Sequence, residues 1–164
     1  MKKYLLFLSS LILAGSLATA ETVHQRLDGA AALKGDGGKA IDAGIMEAKT
    51  FGTEQAARVT ASMNQWGYVT YWMGLTTPPG PAVVRVTAYN TGEATATYGI
   101  YIAGGSKDPI GRLSIPADAP KNALVNIDLP VNLTKEWSGI TVKKFTADPL
   151  PGLWIQSVSV ILPD

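Results

Sequence analysis

The strongest constraint on the fold of this chain is a period-two alternation of apolar and polar residues that runs from Ala56 to the C-terminus. In residues 82–89 the even positions are all Ala or Val, whereas the odd positions include Arg85 and Thr87. Such alternation predicts strands that bury one face. Gly, Pro, Asn and Asp separate the segments, and the many short strands indicate an all-β sandwich or barrel. Strands are predicted at residues 23–27, 40–48, 65–75, 82–89, 94–103, 109–115, 123–129, 138–145 and 153–162.

The connections between these strands are predicted from their turn residues. Asn90-Thr91-Gly92-Glu93 predicts a hairpin turn, because Asn and Gly tolerate the positive φ that such turns need. Pro130 predicts the end of the strand before it, since proline has no N–H to donate to a neighbouring strand.

The first twenty residues have a different character from the rest. Lys2 and Lys3 precede a largely apolar stretch, and Ala18-Thr19-Ala20 follows it. This order predicts a secretory signal peptide at residues 1–20 and a single folded domain at residues 21–164. The apolar stretch is too short to span a bilayer, so we expect no membrane insertion and a secreted or periplasmic protein.

Charge and residue usage exclude several function classes. The chain has 14 Lys and Arg against 13 Asp and Glu, and two of the lysines lie in the signal. Without a basic stripe, nucleic acid is not an expected partner. The chain has no cysteine, and its one histidine, His24, supports neither a metal site of several histidines nor a Ser-His-Asp triad. We therefore predict no enzyme activity and no catalytic residue.

Three segments resemble a known family. These are Glu47-Ala48, then Gly67-Tyr68-Val69-Thr70-Tyr71-Trp72, then the run from Gly80 to Asn90. Together with the later strands they resemble carbohydrate-binding modules of families 6 and 35 over most of residues 45–164. The resemblance implies a jelly-roll, galactose-binding-like antiparallel β-sandwich for residues 21–164. It also implies non-catalytic binding of an oligo- or polysaccharide.

The chain departs from the family pattern at two places. Family members often hold a structural calcium between an early glutamate and an acidic residue of the last strand, where this chain has Glu47 and the neutral Gln156. Calcium prefers several oxygen ligands that include carboxylates. No metal site and no cofactor are therefore predicted, and a structural calcium is not favoured. The residues before Ile45 are not explained by the resemblance, and we expect them to add a strand or to cover one sheet.

Sugar binding needs an aromatic ring for the C–H face of a pyranose and fixed polar groups for its hydroxyls. In residues 65–75 the alternation sends Tyr71 to one face and three other aromatic residues to the opposite face. The alternative is that these rings fill the core or lie beneath the N-terminal segment. The predicted ligand-binding residues are Trp66, Tyr68, Trp72, Arg85, Asn90 and Trp137.

Two functions follow from these features. The first is an exported, non-catalytic carbohydrate-binding protein that uses surface aromatic residues. The alternative is a structural or adhesive exported β-sandwich that mediates protein interactions in the cell envelope. Because the chain carries its own export signal, we expect a stand-alone capture or envelope protein.

Overall fold

The computed structural model describes residues 21–30, 38–40, 46–59, 68–93, 97–102, 108–133, 136–144 and 153–164. No helix in these ranges is long and apolar enough to cross a membrane. Their regular structure consists of strands: β1 (Thr22–Asp28), β2 (Gly38–Ala40), β3 (Met46–Phe51), β4 (Glu54–Val59), β5 (Tyr68–Thr77), β6 (Gly80–Asn90), β7 (Tyr98–Ile102), β8 (Gly111–Leu113), β9 (Ala123–Leu133), β10 (Trp137–Lys144) and β11 (Trp154–Leu162).

The strands form two antiparallel sheets. Sheet A has the order β3-β4-β11-β6-β9, and β1 also pairs with β11. Sheet B has the order β2-β5-β10-β7-β8. Most consecutive strands after β4 belong to different sheets, as in a jelly roll. The predicted fold class, a jelly-roll antiparallel β-sandwich, is confirmed.

The hydrophobic core lies between the inner faces of the two sheets. In β6 the even positions from Ala82 to Ala88 are buried and the odd positions lie on the outer face, as the alternation predicts. Residues such as Tyr71, Tyr98 and Ile140 meet them from sheet B, each fully buried. Both tyrosine hydroxyls have partners, as buried phenols usually do.

Two connections differ from the sequence-based expectation. Asn90 to Glu93 do not form a hairpin turn, because β6 lies in sheet A and β7 in sheet B. The strand predicted to stop before Pro130 continues as β9 to Leu133, with Pro130 in register with Val83. The strand tolerates this proline because β9 is at the edge of sheet A and pairs only with β6 there.

The N-terminal half was predicted less well. The single strand expected at residues 40–48 is wrong, since β2 ends at Ala40 in sheet B and β3 begins at Met46 in sheet A. The alternation also did not predict β4 as a separate strand. The expectation that the residues before Ile45 add a strand is confirmed, because β1 joins sheet A and β2 joins sheet B.

Gly29 marks the point where the chain leaves β1 and passes toward sheet B. Its N–H donates to the carbonyl of Gln156 at 2.7 Å. Its own carbonyl accepts a hydrogen bond from the Tyr71 hydroxyl at 3.0 Å. A Cβ at this position would lie 1.8 Å from the carbonyl oxygen of Ile155, so the backbones approach as closely as only glycine allows.

We expect Gly29→Ala to lower the free energy of unfolding by at least about 3 kcal/mol, because the new methyl group overlaps backbone atoms that cannot move aside cheaply. Urea unfolding followed by tryptophan fluorescence measures the change. The control is Gly52→Asn, at φ 63° with no atom within 4 Å of an added Cβ, since Asn tolerates that conformation. Equal stability of the two variants would contradict the proposed close approach.

Candidate functional site

Among the predicted ligand-binding residues that the structure describes, three aromatic residues lie on strands of sheet B and two polar residues lie on sheet A. Trp66 lies outside the described residues. Tyr68 and Trp72 are in β5, opposite Lys143 and Gly139 of β10, and Trp137 begins β10 opposite Thr77. For these three aromatic residues the structure describes the backbone but not the side chains. Arg85 and Asn90 belong to β6 in sheet A.

Arg85 connects neighbouring segments on the outer face of sheet A. It makes two hydrogen bonds of 2.7 Å to the carboxylate of Asp128 on β9. It also forms an ion pair of 3.1 Å with Glu21. The hydrogen bond to Asp128 is the main reason that the pKa of Arg85 is raised, and the hydrogen bond from Arg85 lowers the pKa of Asp128. Its guanidinium is therefore engaged within the chain, between β6 and the edge strand β9 of sheet A.

The side-chain amide of Asn90 is hydrogen-bonded within the protein. Its side chain is 5% exposed and donates to the carbonyls of Ala119 and Pro120 at 3.1 and 2.9 Å. Its Oδ1 accepts from the N–H of Gly92 at 2.9 Å. These bonds tie the loop before β9 to the end of β6 and use the donors and the acceptor of the amide.

The outer face of sheet A also carries an aromatic cluster, made of Phe51, Tyr89 and Trp154. The rings of Phe51 and Tyr89 stack at 3.9 Å, and Phe51 meets Trp154 edge-on at 5.4 Å. The guanidinium of Arg58 lies 4.5 Å from the centre of the Trp154 ring. Trp154 is only 6% exposed. The rings therefore use much of their surface on one another and on Arg58.

The outer face of sheet B has a different composition. Thr70, Thr141 and Tyr101 form one cross-strand row on β5, β10 and β7. The hydroxyls of Thr70 and Thr141 are 2.8 Å apart. The ammonium of Lys143 lies 5.8 Å from the centre of the Tyr101 ring, which is half-buried. Arg112 is exposed on β8, the edge strand of this sheet.

This face therefore combines an aromatic ring, the half-buried hydroxyl of Thr141 and two cationic side chains, whereas Thr70 is only 6% exposed. It also includes the strand that holds Tyr68 and Trp72. Lys143 was not among the ligand-binding residues predicted from the sequence. The period-two pattern of residues 138–145 puts Lys143 and Thr141 on one face. Nothing in the sequence gives the register that sets them beside Tyr101.

The residues present do not fit a structural calcium. Glu47 is paired with Arg58, and Gln156 is hydrogen-bonded to both Arg26 and Glu54. A calcium site needs several oxygen ligands directed at one point. The described part of the chain has no group of three or more His, Cys, Asp or Glu side chains suited to a metal ion.

Comparisons with known proteins identify the fold. No protein-family model matches the chain, and no curated protein sequence matches it. Solved structures do match. The C-terminal family 6 carbohydrate-binding module of LamC, a marine laminarinase from Zobellia galactanivorans, is 10% identical with a TM-score of 0.60, and the match covers 84% of this chain and 98% of that chain.

Two further modules match similarly. The family 35 module from Clostridium thermocellum is 11% identical with a TM-score of 0.61, covering 85% of this chain and 99% of that chain. The module from Cellvibrio mixtus lichenase 5A, solved with cellotriose, is 12% identical with a TM-score of 0.57, covering 87% and 100%. An exo-β-1,3-galactanase from Phanerochaete chrysosporium also matches, but over only 29% of its length.

The ion pair across sheet A gives a pH prediction. Because the pKa of Asp128 is lowered in the folded state, its contribution to stability is present above the pKa of an unfolded aspartate and is lost as the pH falls through the folded value. We expect the native chain to lose more unfolding free energy than Asp128→Asn between pH 5 and pH 2, by about 1 kcal/mol or less because the pair is partly exposed.

Urea unfolding at a series of pH values measures this difference. Asp118→Asn, an exposed aspartate in the loop before β9, is the control. A parallel loss of stability in the native chain and in Asp128→Asn would show that the carboxylate does not act through Arg85.

The strand order and the similarity to solved structures agree: the chain has the β-sandwich fold of carbohydrate-binding modules of families 6 and 35.

Proposed function

We propose that this protein is an exported, non-catalytic carbohydrate-binding protein whose glycan-binding surface is the outer face of sheet B. The observation that carries the proposal is the cross-strand pair of Thr141 and Tyr101 on β10 and β7, with Lys143 beside the ring. An aromatic ring packs against the C–H face of a sugar, and hydroxyl and ammonium groups bind its hydroxyls. The fold shared with carbohydrate-binding modules supports this assignment.

The contrast between the two outer faces favours sheet B. On sheet A, Arg85 is paired with Asp128, and Thr87 donates to Asn126 at 2.9 Å. The aromatic rings there stack on one another and Trp154 is only 6% exposed, whereas Tyr101 on sheet B is half-buried. On sheet B, Tyr68 and Trp72 occupy the strand two positions from Tyr101 in the sheet order. We retain Tyr68, Trp72 and Trp137 as proposed ligand-binding residues and add Tyr101 and Lys143.

The predicted binding roles of Arg85 and Asn90 are not retained in this surface, because both side chains are engaged within sheet A and its loop. Trp66 stays a prediction that mutagenesis can address. No catalytic residue is proposed. His24, the one histidine of the chain, lies on β1 with its ring 3.3 Å from the carbonyl of Thr76.

Glycan binding predicts a defined mutational pattern. We expect Tyr101→Ala and Trp72→Ala each to weaken binding of a responsive polysaccharide at least about tenfold, since each removes an aromatic surface from the contact. Tryptophan fluorescence titration with plant, algal and microbial polysaccharides measures the affinity of the native chain, and affinity gel electrophoresis serves for Trp72→Ala.

Leu124→Ala is the matched control. Leu124 is 43% exposed on the outer face of sheet A, so its truncation removes exposed apolar surface without touching sheet B. Binding that survives Tyr101→Ala and Trp72→Ala but is lost in Phe51→Ala would move the site to sheet A. A folded native chain that binds none of the polysaccharides would favour the structural or adhesive alternative.

Export predicts the N-terminus of the mature chain. β1 begins at Thr22, whose hydroxyl donates to Asp164 at 2.7 Å, and Glu21 is paired with Arg85. Cleavage after Ala20 would therefore keep β1 and the contact of Glu21 with Arg85 intact. We expect intact mass spectrometry of protein from an exporting host to give a chain beginning at Glu21. A chain that still carries Met1, or one cut inside β1, would contradict the assignment.

A further inference from the structure

The hairpin of β3 and β4 is held to the sandwich by few backbone contacts. The register between β4 and β11 consists of one pair, Ile155 with Ala57, whereas β6 and β9 pair along eleven residues each. Ala57 is fully buried, so the hairpin is part of the core. Side-chain contacts must therefore supply much of what fixes its position on sheet A.

Arg58 makes the first of these contacts. It lies on β4 opposite Glu47 of β3 and forms an ion pair with it. The same guanidinium lies over the ring of Trp154 on β11. A planar guanidinium can pair with a carboxylate and stack on an aromatic ring at the same time. Arg58 thus joins β3, β4 and β11 with one positive charge.

Gln156 makes the second contact. It is the extra residue of a β-bulge, since Ile155 pairs with Ala88 and Ser157 with Thr87. Its Oε1 accepts from Arg26 of β1 at 3.1 Å, and its Nε2 donates to Glu54 of β4 at 3.2 Å. The side chain is 6% exposed. Gln156 thus connects β1 and β4, which flank β11 on the same edge.

These two bridges occupy the residues that the family pattern assigns to calcium. The resemblance to families 6 and 35 implies that Glu47 corresponds to the early glutamate and Gln156 to the acidic position of the last strand. Glu47 and Glu54 face different partners, and Glu54 is four residues along β4 from Arg58, the partner of Glu47, or about 13 Å. At Glu47 a divalent cation would meet the Arg58 guanidinium that already neutralises the carboxylate, and at Gln156 it would compete with Arg26 for the amide oxygen.

We propose that the guanidinium groups of Arg58 and Arg26 replace a structural calcium in this sandwich. They fix the hairpin of β3 and β4 with permanent side-chain charges, and folding is independent of calcium. A neutral residue at Gln156 suits this arrangement, because its amide accepts from one bridge partner and donates to the other, which a carboxylate cannot do. The inference does not depend on the glycan-binding proposal.

The test compares thermal unfolding of the purified native chain in millimolar calcium chloride and in excess EDTA, with Arg58→Gln, Arg26→Gln and the control Lys121→Gln measured alongside. Lys121 is an exposed lysine in the loop before β9. We expect the native Tm to be the same in both buffers. Arg58→Gln and Arg26→Gln should each lower Tm by about 3 °C or more, and Lys121→Gln should not.

Three outcomes overturn the proposal. The first is a lower native Tm in EDTA, and the second is saturable heat of calcium binding to the native chain in titration calorimetry. The third is an unchanged Tm in both arginine variants. The two measurements on the native chain decide the question even where a variant fails to fold.

Discussion

The contact on which the sandwich most depends is the approach of Gly29 to the backbone of Ile155 and Gln156. It is the place where the N-terminal segment leaves sheet A for sheet B, so a single residue without a side chain lets one segment add a strand to each sheet. The Tyr71 hydroxyl completes the contact from sheet B by donating to the Gly29 carbonyl. Backbone polar groups join the two layers here, in addition to the apolar packing between them. A buried backbone carbonyl needs such a partner, which explains why this core position has a tyrosine.

The β-bulge at Gln156 takes part in the same contact with Gly29 and adds side-chain hydrogen bonds to it. The extra residue breaks the ladder with β6, and its carbonyl becomes available to Gly29 while its side chain reaches Arg26 and Glu54. The bulge therefore serves the backbone and the side-chain network together. In a regular strand residue 156 would take its place in a continuous ladder with β6. Its carbonyl would then not be available to Gly29, and its side chain would not reach both Arg26 and Glu54. The irregularity of β11 is thus what allows β1 and β4 to share one edge of it.

The sequence predicted most of the strands but not how they connect. Alternation is a local signal, and it located the segments near β1, β5, β6, β9, β10 and β11. Turn residues were less informative, because Asn90 and Gly92 suit a hairpin and also suit the sheet-to-sheet connection that the structure has. In the structure the Asn90 side chain donates to the carbonyls of Ala119 and Pro120, about thirty residues away in the chain. A local sequence pattern cannot predict contacts between residues so far apart in the chain.

In the candidate site, too, local alternation predicted the strands but not their long-range contacts. The alternation of β5 placed Tyr71 on an apolar face, and the structure buries this side chain completely. The alternation gave no means of telling which residues of other strands lie beside those of β5, because cross-strand neighbours depend on sheet order and register. Tyr101 and Lys143 become neighbours of β5 only because β10 lies between β5 and β7. Arg85 and Asn90 were grouped with the aromatic residues by residue type, and the sheet order separates them. Residue types can thus suggest the chemistry of a binding surface, but strand pairing decides which of those residues can act together.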